Sequence, residues 1–130
     1  MSHDIRHELL ALTERVLAAI AARDWAAYES LCDASLSAFE PEARGQLVEG
    51  LAFHQFYFER AGPKAACQAT IWAPHVRLLG DDAAVVSYVR LVQHIDASGA
   101  PQTARFEETR VWQRQGGRWQ HVHFHRSAIG

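Results

Sequence analysis

Cysteine is scarce in this 130-residue chain: Cys32 and Cys67 are the only two, and they form no CxxC pair. That argues against a disulfide framework and points to a reducing, cytoplasmic setting. Basic stretches are missing as well. Thirteen Lys and Arg against fifteen Asp and Glu leave a net charge of −2, and no cluster among them makes the positive footprint of a nucleic-acid surface. Apolar runs are far too short to cross a bilayer. The opening stretch, MSHDIRHELL, is polar and lacks the charged-then-apolar order of a secretory signal. Internal repeats, low-complexity tracts and linkers are absent too. Neither a nucleic acid nor a membrane is therefore an expected partner.

What remains is an ordinary globular balance, 48% apolar and 22% charged, in a length that fits one domain over residues 1–130. The first half carries helical patterning. Ile5, Leu9, Leu12, Val16 and Ile20 recur at helical spacing, which predicts a helix over 5–22 with Asp4 as its N-cap. Arg23-Asp24 reads as a break, WAAYESLC (25–32) as a second short helix, and LSAFEP (36–41) as a short strand stopped by Pro41. LVEGLAFHQFYFERAG (47–62) reads as a third helix ending at Gly62-Pro63. The second half changes character. Segments 67–80, 82–96, 103–115 and 118–128 are rich in β-branched and aromatic residues, with turn signals between them. Helices followed by an antiparallel meander predict an α+β fold, with the helices on one face of the sheet.

Strand register decides which side chains meet. For the last hairpin, a two-residue Gly116-Gly117 loop splits the apolar residues between faces. A three-residue loop pairing Arg114 with Arg118 gathers Phe106, Glu108, Arg110, Trp112, Val122, Phe124 and Arg126 on one face, and is preferred for that reason. A five-residue loop over 97–101 in the preceding hairpin sets Arg90 opposite Glu108 and Tyr88 opposite Arg110. Arg90, Arg110 and Arg126 then project from three adjacent strands among aromatic side chains, on the face that the helices cover. Two readings stay open. In one, Glu108 and carboxylates such as Glu40 or Glu49 neutralise the arginines in structural salt bridges. In the other, the excess positive charge and apolar walls make a pocket for a small carboxylate or other anion, which planar guanidinium groups suit. His54 in the third helix and Tyr28 in the second read first as packed residues. The stripe HVHFH sets His121, His123 and His125 in line. Two histidines at i and i+2 on a strand can chelate zinc, but a third in line adds little, and no cysteine or carboxylate motif accompanies them. No metal and no cofactor is expected. The three histidines are assigned to the outer face of the sheet, against another subunit.

With these residues in view, the sequence resembles the association (hub) domain of calcium/calmodulin-dependent protein kinase II. The likeness covers about residues 24–127 and rests on three blocks in order: FEPEARGQLVEGLAFHQFYFE (39–59), DDAAVVSYVRLVQHID (81–96) and EETRVWQRQGGRWQHVHFHRS (107–127). It implies an NTF2-like cone, shared with the SnoaL-like proteins, in which N-terminal helices pack on a strongly curved antiparallel sheet. It implies self-assembly into a homodimer or larger, and an arginine-lined pocket that accepts small carboxylic acids. Arg90, Arg110 and Arg126 fall at the matching positions. His54 and Tyr28 match further pocket positions, and Tyr88 lies beside them on the same face. The expected function is a non-catalytic, self-associating hub-type domain with an anion pocket. One alternative is a SnoaL-like isomerase, cyclase or dehydratase using His54 as acid/base. Another is a purely structural oligomerisation module. Two departures stand out. No kinase domain or calmodulin-binding segment accompanies the blocks, so a stand-alone hub is expected. The RAGPKAACQ loop (60–68) is shorter than the family's usual one.

Overall fold

A computed structural model describes residues 2–60 and 67–129. Helix α1 (Ser2–Ala22) is followed by α2 (Trp25–Leu31), strand β1 (Cys32–Phe39), a 3-10 turn (Pro41–Ala43), β2 (Val48–Glu49) and α3 (Ala52–Arg60). Four long strands complete the chain: β3 (Cys67–Leu78), β4 (Ala83–Ile95), β5 (Pro101–Gln115) and β6 (Arg118–Ala128). All six strands form one sheet in the order β2-β1-β6-β5-β4-β3. Among the described residues only the β1–β6 pairing is parallel.

Local chemistry explains most boundaries. Asp4 lies in the first turn of α1, where its charge favours the helix N-terminus, rather than capping it. Arg23 takes a left-handed φ of 55° and ends the helix, with its N–H donating to the Ile20 carbonyl at 3.1 Å. Asp24 then caps α2, its Oδ1 accepting from the Ala27 N–H at 3.1 Å. The third helix is shorter than its apolar pattern predicts. Val48 pairs with Ala38 in β2, Gly50 turns the chain at a φ of 81°, and the helix starts at Ala52. β-branched Val48 suits a strand as well as a helix, and its buried pairing beside β1 decides the matter. The expected end at Gly62-Pro63 and most of the 60–68 loop lie outside the described residues.

Both hairpins differ from the expected registers, and for physical reasons. The β4–β5 loop does have five residues, but they are 96–100, so Ile95 pairs with Pro101 and Tyr88 with Glu108. Asp96 organises that loop. Its Oδ1 accepts from the Ser98 and Ala100 N–H groups at 2.9 Å each, which ties the turn one residue earlier than expected. The β5–β6 loop has two residues, not three: Gln115 pairs with Arg118. Gly116 and Gly117 both take positive φ, 56° and 79°, the combination that a tight two-residue hairpin requires. The expected grouping of faces survives in part because β6 carries a bulge. Trp112 pairs with His121, Val111 with His123, and Val122 is the unpaired residue between them. Beyond the bulge Phe124 lies opposite Arg110 and Arg126 opposite Glu108. Before it, His121 takes the inward place expected for Val122 and is fully buried. His121 therefore does not belong to the outer face; only His123 and His125 do.

Further bulges at Ala73-Pro74 in β3 and within β1 bend the sheet around the helices. Pro74 is tolerated because β3 is an edge strand, and it interrupts the free edge that would otherwise recruit another strand. The core lies between α1 and the inner face of the sheet, with Leu9, Val16, Leu36, Val86 and Trp112 each fully buried. Two of its polar side chains satisfy each other: Trp112 Nε1 donates to Thr13 Oγ1 at 3.2 Å, and that hydroxyl donates to the Leu9 carbonyl at 2.8 Å. Among the described residues no helix is long and apolar enough to cross a membrane.

Candidate functional site

The inner face of β4, β5 and β6 carries a buried charged network. Glu108 is at its centre, with a fully covered side chain. Its Oε1 accepts from Tyr88 Oη at 2.6 Å and from Arg110 Nη2 at 3.0 Å, and its Oε2 accepts from Arg90 Nη1 at 3.1 Å. Arg90 sits opposite Phe106 rather than Glu108, and reaches the carboxylate along the diagonal. Arg110 Nε also donates to Tyr88 Oη at 2.8 Å, and its guanidinium stacks over Phe124 at 4.6 Å. Burial tends to raise the Glu108 carboxyl, but Arg110, Arg90 and Tyr88 outweigh it and hold its pKa below the ordinary value.

The network continues to His121. Arg110 Nη1 lies 3.3 Å from His121 Nε2, and a guanidinium only donates, so Nε2 accepts and the ring proton sits on Nδ1. That nitrogen points at Cys32 Sγ, 3.5 Å away. Burial, then the positive charge of Arg110, push the His121 pKa well below its ordinary value, which keeps the ring neutral. Burial likewise pushes the Cys32 thiol up to about 12, so it is no nucleophile at neutral pH.

Above this layer lies a cavity of about 270 Å³ walled by Ile20, Tyr57, Phe58 and Phe124 and edged by Arg23, Tyr28, Glu40, Glu42, His54, Arg90 and Arg126. Of the residues expected at a site, Arg90, Arg126, His54 and Tyr28 line it. Arg110 and Tyr88 do not; they lie in the ion-pair layer, and Arg110 is only 1% exposed. The salt-bridge reading therefore describes Arg90 and Arg110, both paired with Glu108, whose single charge leaves one positive charge over. Arg126 stands apart from them, paired with Glu42 of the 3-10 turn and lying over the Phe106 ring at 4.9 Å.

Three cavity residues lacked attention at the level of sequence: Arg23, Glu42 and, except as an arginine partner, Glu40. The readable signal was FEPEA, where Pro41 separates two carboxylates and enforces a turn that brings both to the cavity edge. Glu40 Oε2 is 3.4 Å from His54 Nδ1, with its side chain 10% exposed. Burial and the neighbouring Glu42 charge raise the Glu40 pKa to about 7. Burial, then Arg110, lower His54 to about 4. Glu40, rather than His54, thus titrates in the range that acid–base chemistry uses near neutral pH. Glu40 Oε2, His54 Nε2 and Arg90 Nε are all buried without a hydrogen-bond partner.

The opposite face of the sheet holds a shallow depression of about 500 Å³ lined by His75, Ser87, Glu107, Thr109, His125 and Ser127. His123 Nδ1 lies 2.8 Å from Ser37 Oγ, and Phe39 packs on both His123 and His125. Among the described residues no group of three His, Cys, Asp or Glu side chains is placed to hold a metal ion.

Three helices on a bent six-stranded sheet, with a cavity between them, define an α+β cone of the NTF2-like class. An NTF2-like superfamily protein from Salmonella enterica superposes with a TM-score of 0.82 over 100% of this chain and 94% of its own, at 19% identity, which speaks for the fold alone. The particular family follows from closer matches. The profile of the calcium/calmodulin dependent protein kinase II association domain matches residues 5–130, and the chain belongs to that family. The delta subunit of calcium/calmodulin-dependent protein kinase type II from Oryctolagus cuniculus is 52% identical over 124 residues, covering 94% of this chain and 23% of that protein. The chain thus spans about a quarter of the length of that relative. The CaMKII hub homology domain of C. reinhardtii is similar with a TM-score of 0.92 and 48% identity, covering 97% of this chain and 99% of that one.

Proposed function

We propose that this chain is a non-catalytic assembly module that self-associates, and that its cavity takes a small carboxylate. Membership of an association-domain family supports the first part. So does the outer sheet face, where Val85, Val89 and Val111 stay only half-buried around the histidine-lined depression and Phe39 is 39% exposed. A second copy packed there covers this apolar surface. The observation that carries the second part is the set of three buried, unpartnered polar atoms on one cavity: Glu40 Oε2, His54 Nε2 and Arg90 Nε. Buried polar groups are nearly always satisfied, and three unsatisfied ones on the residues of one concave, partly apolar lining support a ligand or bound water there. The carboxylate of that ligand lies against Arg126 and Arg90, and its apolar part against Phe58 and Phe124.

Sedimentation velocity and calorimetry test the two parts separately. The wild-type chain is expected to sediment as a dimer or larger, and Val111→Glu, which puts a charge at the centre of the outer face, to shift it toward monomer. Arg126→Gln is expected to weaken benzoate binding at least tenfold while leaving the sedimentation pattern unchanged. A monomeric wild-type chain discards the assembly reading, and undiminished benzoate binding by Arg126→Gln discards the pocket.

A further inference from the structure

The cavity already contains an anion of its own. The 3-10 turn Pro41–Ala43 follows directly on β1 and closes at Arg44 with a left-handed φ of 54°, a geometry that swings Glu42 over the cavity edge. There its carboxylate is bonded to the Arg126 guanidinium. Arg126 is mostly covered, its side chain 15% exposed, whereas Glu42 keeps 39% of its side chain in solvent. Glu42 thus behaves as a removable lid group and Arg126 as a fixed anchor. Two residues away, Glu40 is the reverse: nine-tenths covered, on the lining of the same cavity, with its Oε2 buried without a hydrogen bond and 3.4 Å from His54 Nδ1.

Resting on the pocket reading above, we propose that Glu42 is an internal occupant of the anion site: an incoming carboxylate displaces it from Arg126, and Glu40 takes up one proton from solvent as this happens. Electrostatics require the second half. Glu40 faces Glu42 on its own segment, Arg126 on β6, Arg110 on β5, Arg90 on β4, His54 and Tyr57 on α3, Tyr28 on α2 and Arg23 at the end of α1. Burial already raises its pKa, the Glu42 charge raises it further, and Arg126 restrains the rise. A ligand carboxylate takes the place of Glu42 on Arg126, whose restraint is present in both states, while Glu42 stays tethered two residues from Glu40 at the solvent edge; the cavity therefore gains one buried negative charge beside Glu40. Glu40 then holds its proton more tightly, and linkage makes ligand binding stronger wherever a proton is available to accompany it. The site is therefore gated twice, by an internal competitor and by pH.

The test is benzoate binding to the full chain by isothermal titration calorimetry between pH 6.5 and 8, in two buffers of different ionisation enthalpy. Wild-type affinity is expected to fall about three- to eightfold over this interval, and the buffer dependence to report uptake of up to one proton. Glu42→Gln, which leaves Arg126 without its carboxylate, is expected to bind benzoate about tenfold more tightly at pH 7.5. Glu40→Gln is expected to bind with no pH dependence and no proton uptake. Circular dichroism confirms that each variant is folded, and two independent variants keep the test decisive if one is not. Wild-type binding that is independent of pH, with Glu42→Gln no tighter, overturns this inference and leaves the pocket reading standing. Absence of benzoate binding by the wild type and both variants at every pH overturns the two together.

Discussion

Glu108→Gln is expected to cost about 3–5 kcal/mol of folding stability, a large part of the about 5–15 kcal/mol that holds a domain of this kind together. The substitution keeps size and shape, so packing does not explain the loss. It removes the one negative charge between Arg90 and Arg110, which are 7% and 1% exposed. Neither guanidinium can shed its proton, and Arg110 cannot reach water without opening the sheet. Tyr88 Oη can still donate to the amide oxygen, but the amide nitrogen then faces a guanidinium, donor against donor. The measurement is the urea midpoint, with Glu42→Gln as the control. That pair is partly exposed, so losing it should cost under about 1 kcal/mol. Equal effects for the two variants would show that burial does not govern these ion pairs.

The different fates of the three arginines show what was legible in the sequence. Any odd loop in the β4–β5 hairpin puts Tyr88, Arg90, Glu108 and Arg110 on one face, so an error of two in register left their association intact. The last hairpin was harder. Alternation alone could not say whether Phe124 and Arg126 face inward, because the two-glycine loop and the inward Phe124 are compatible only through an extra residue in β6. Nothing in HVHFHRS marks Val122 as that residue, and the bulge reverses the assignments of His121 and Val122 while leaving Phe124 and Arg126 inward. The cavity edge was illegible for a different reason. Glu40 and Glu42 approach Arg126 across 84 to 86 residues of chain, and their meeting depends on a three-residue turn and a two-residue strand too short to leave a periodic signal.

Replacing Arg110 by methionine tests the hidden half of the histidine stripe. The substitution fills similar space with an apolar chain but takes four interactions at once from the core: the bonds to Glu108 Oε1, Tyr88 Oη and His121 Nε2, and the stacking on Phe124. Glu108 keeps Arg90, so the carboxylate is not stranded, and the expected loss is about 2–4 kcal/mol, from the lost charged hydrogen bonds and a His121 Nε2 left buried without a donor. Adding Glu108→Gln to this variant should cost much less than it does in the wild type, because the second unpaired guanidinium is already gone; a double-mutant cycle measures that coupling. A further readout separates electrostatics from packing. His121 is neutral in the fold because of burial first and Arg110 second. Its folded pKa lies below the ordinary 6.5, so the unfolded chain binds more protons as pH falls through that value, and the histidine withdraws stability on acidification. Glu40 acts in the opposite sense, since its pKa of about 7 lets the folded state bind the extra proton below neutrality. Total stability against pH therefore mixes two opposed contributions, and the ring itself must be observed. In Arg110→Met, nitrogen-detected NMR of His121 should show its pKa moved upward, short of the ordinary value because burial persists. The Nδ1-protonated form should no longer be enforced once Nε2 has lost its donor. An unchanged His121 resonance and pKa in a folded variant would show that Arg110 holds neither the charge state nor the tautomer of that ring.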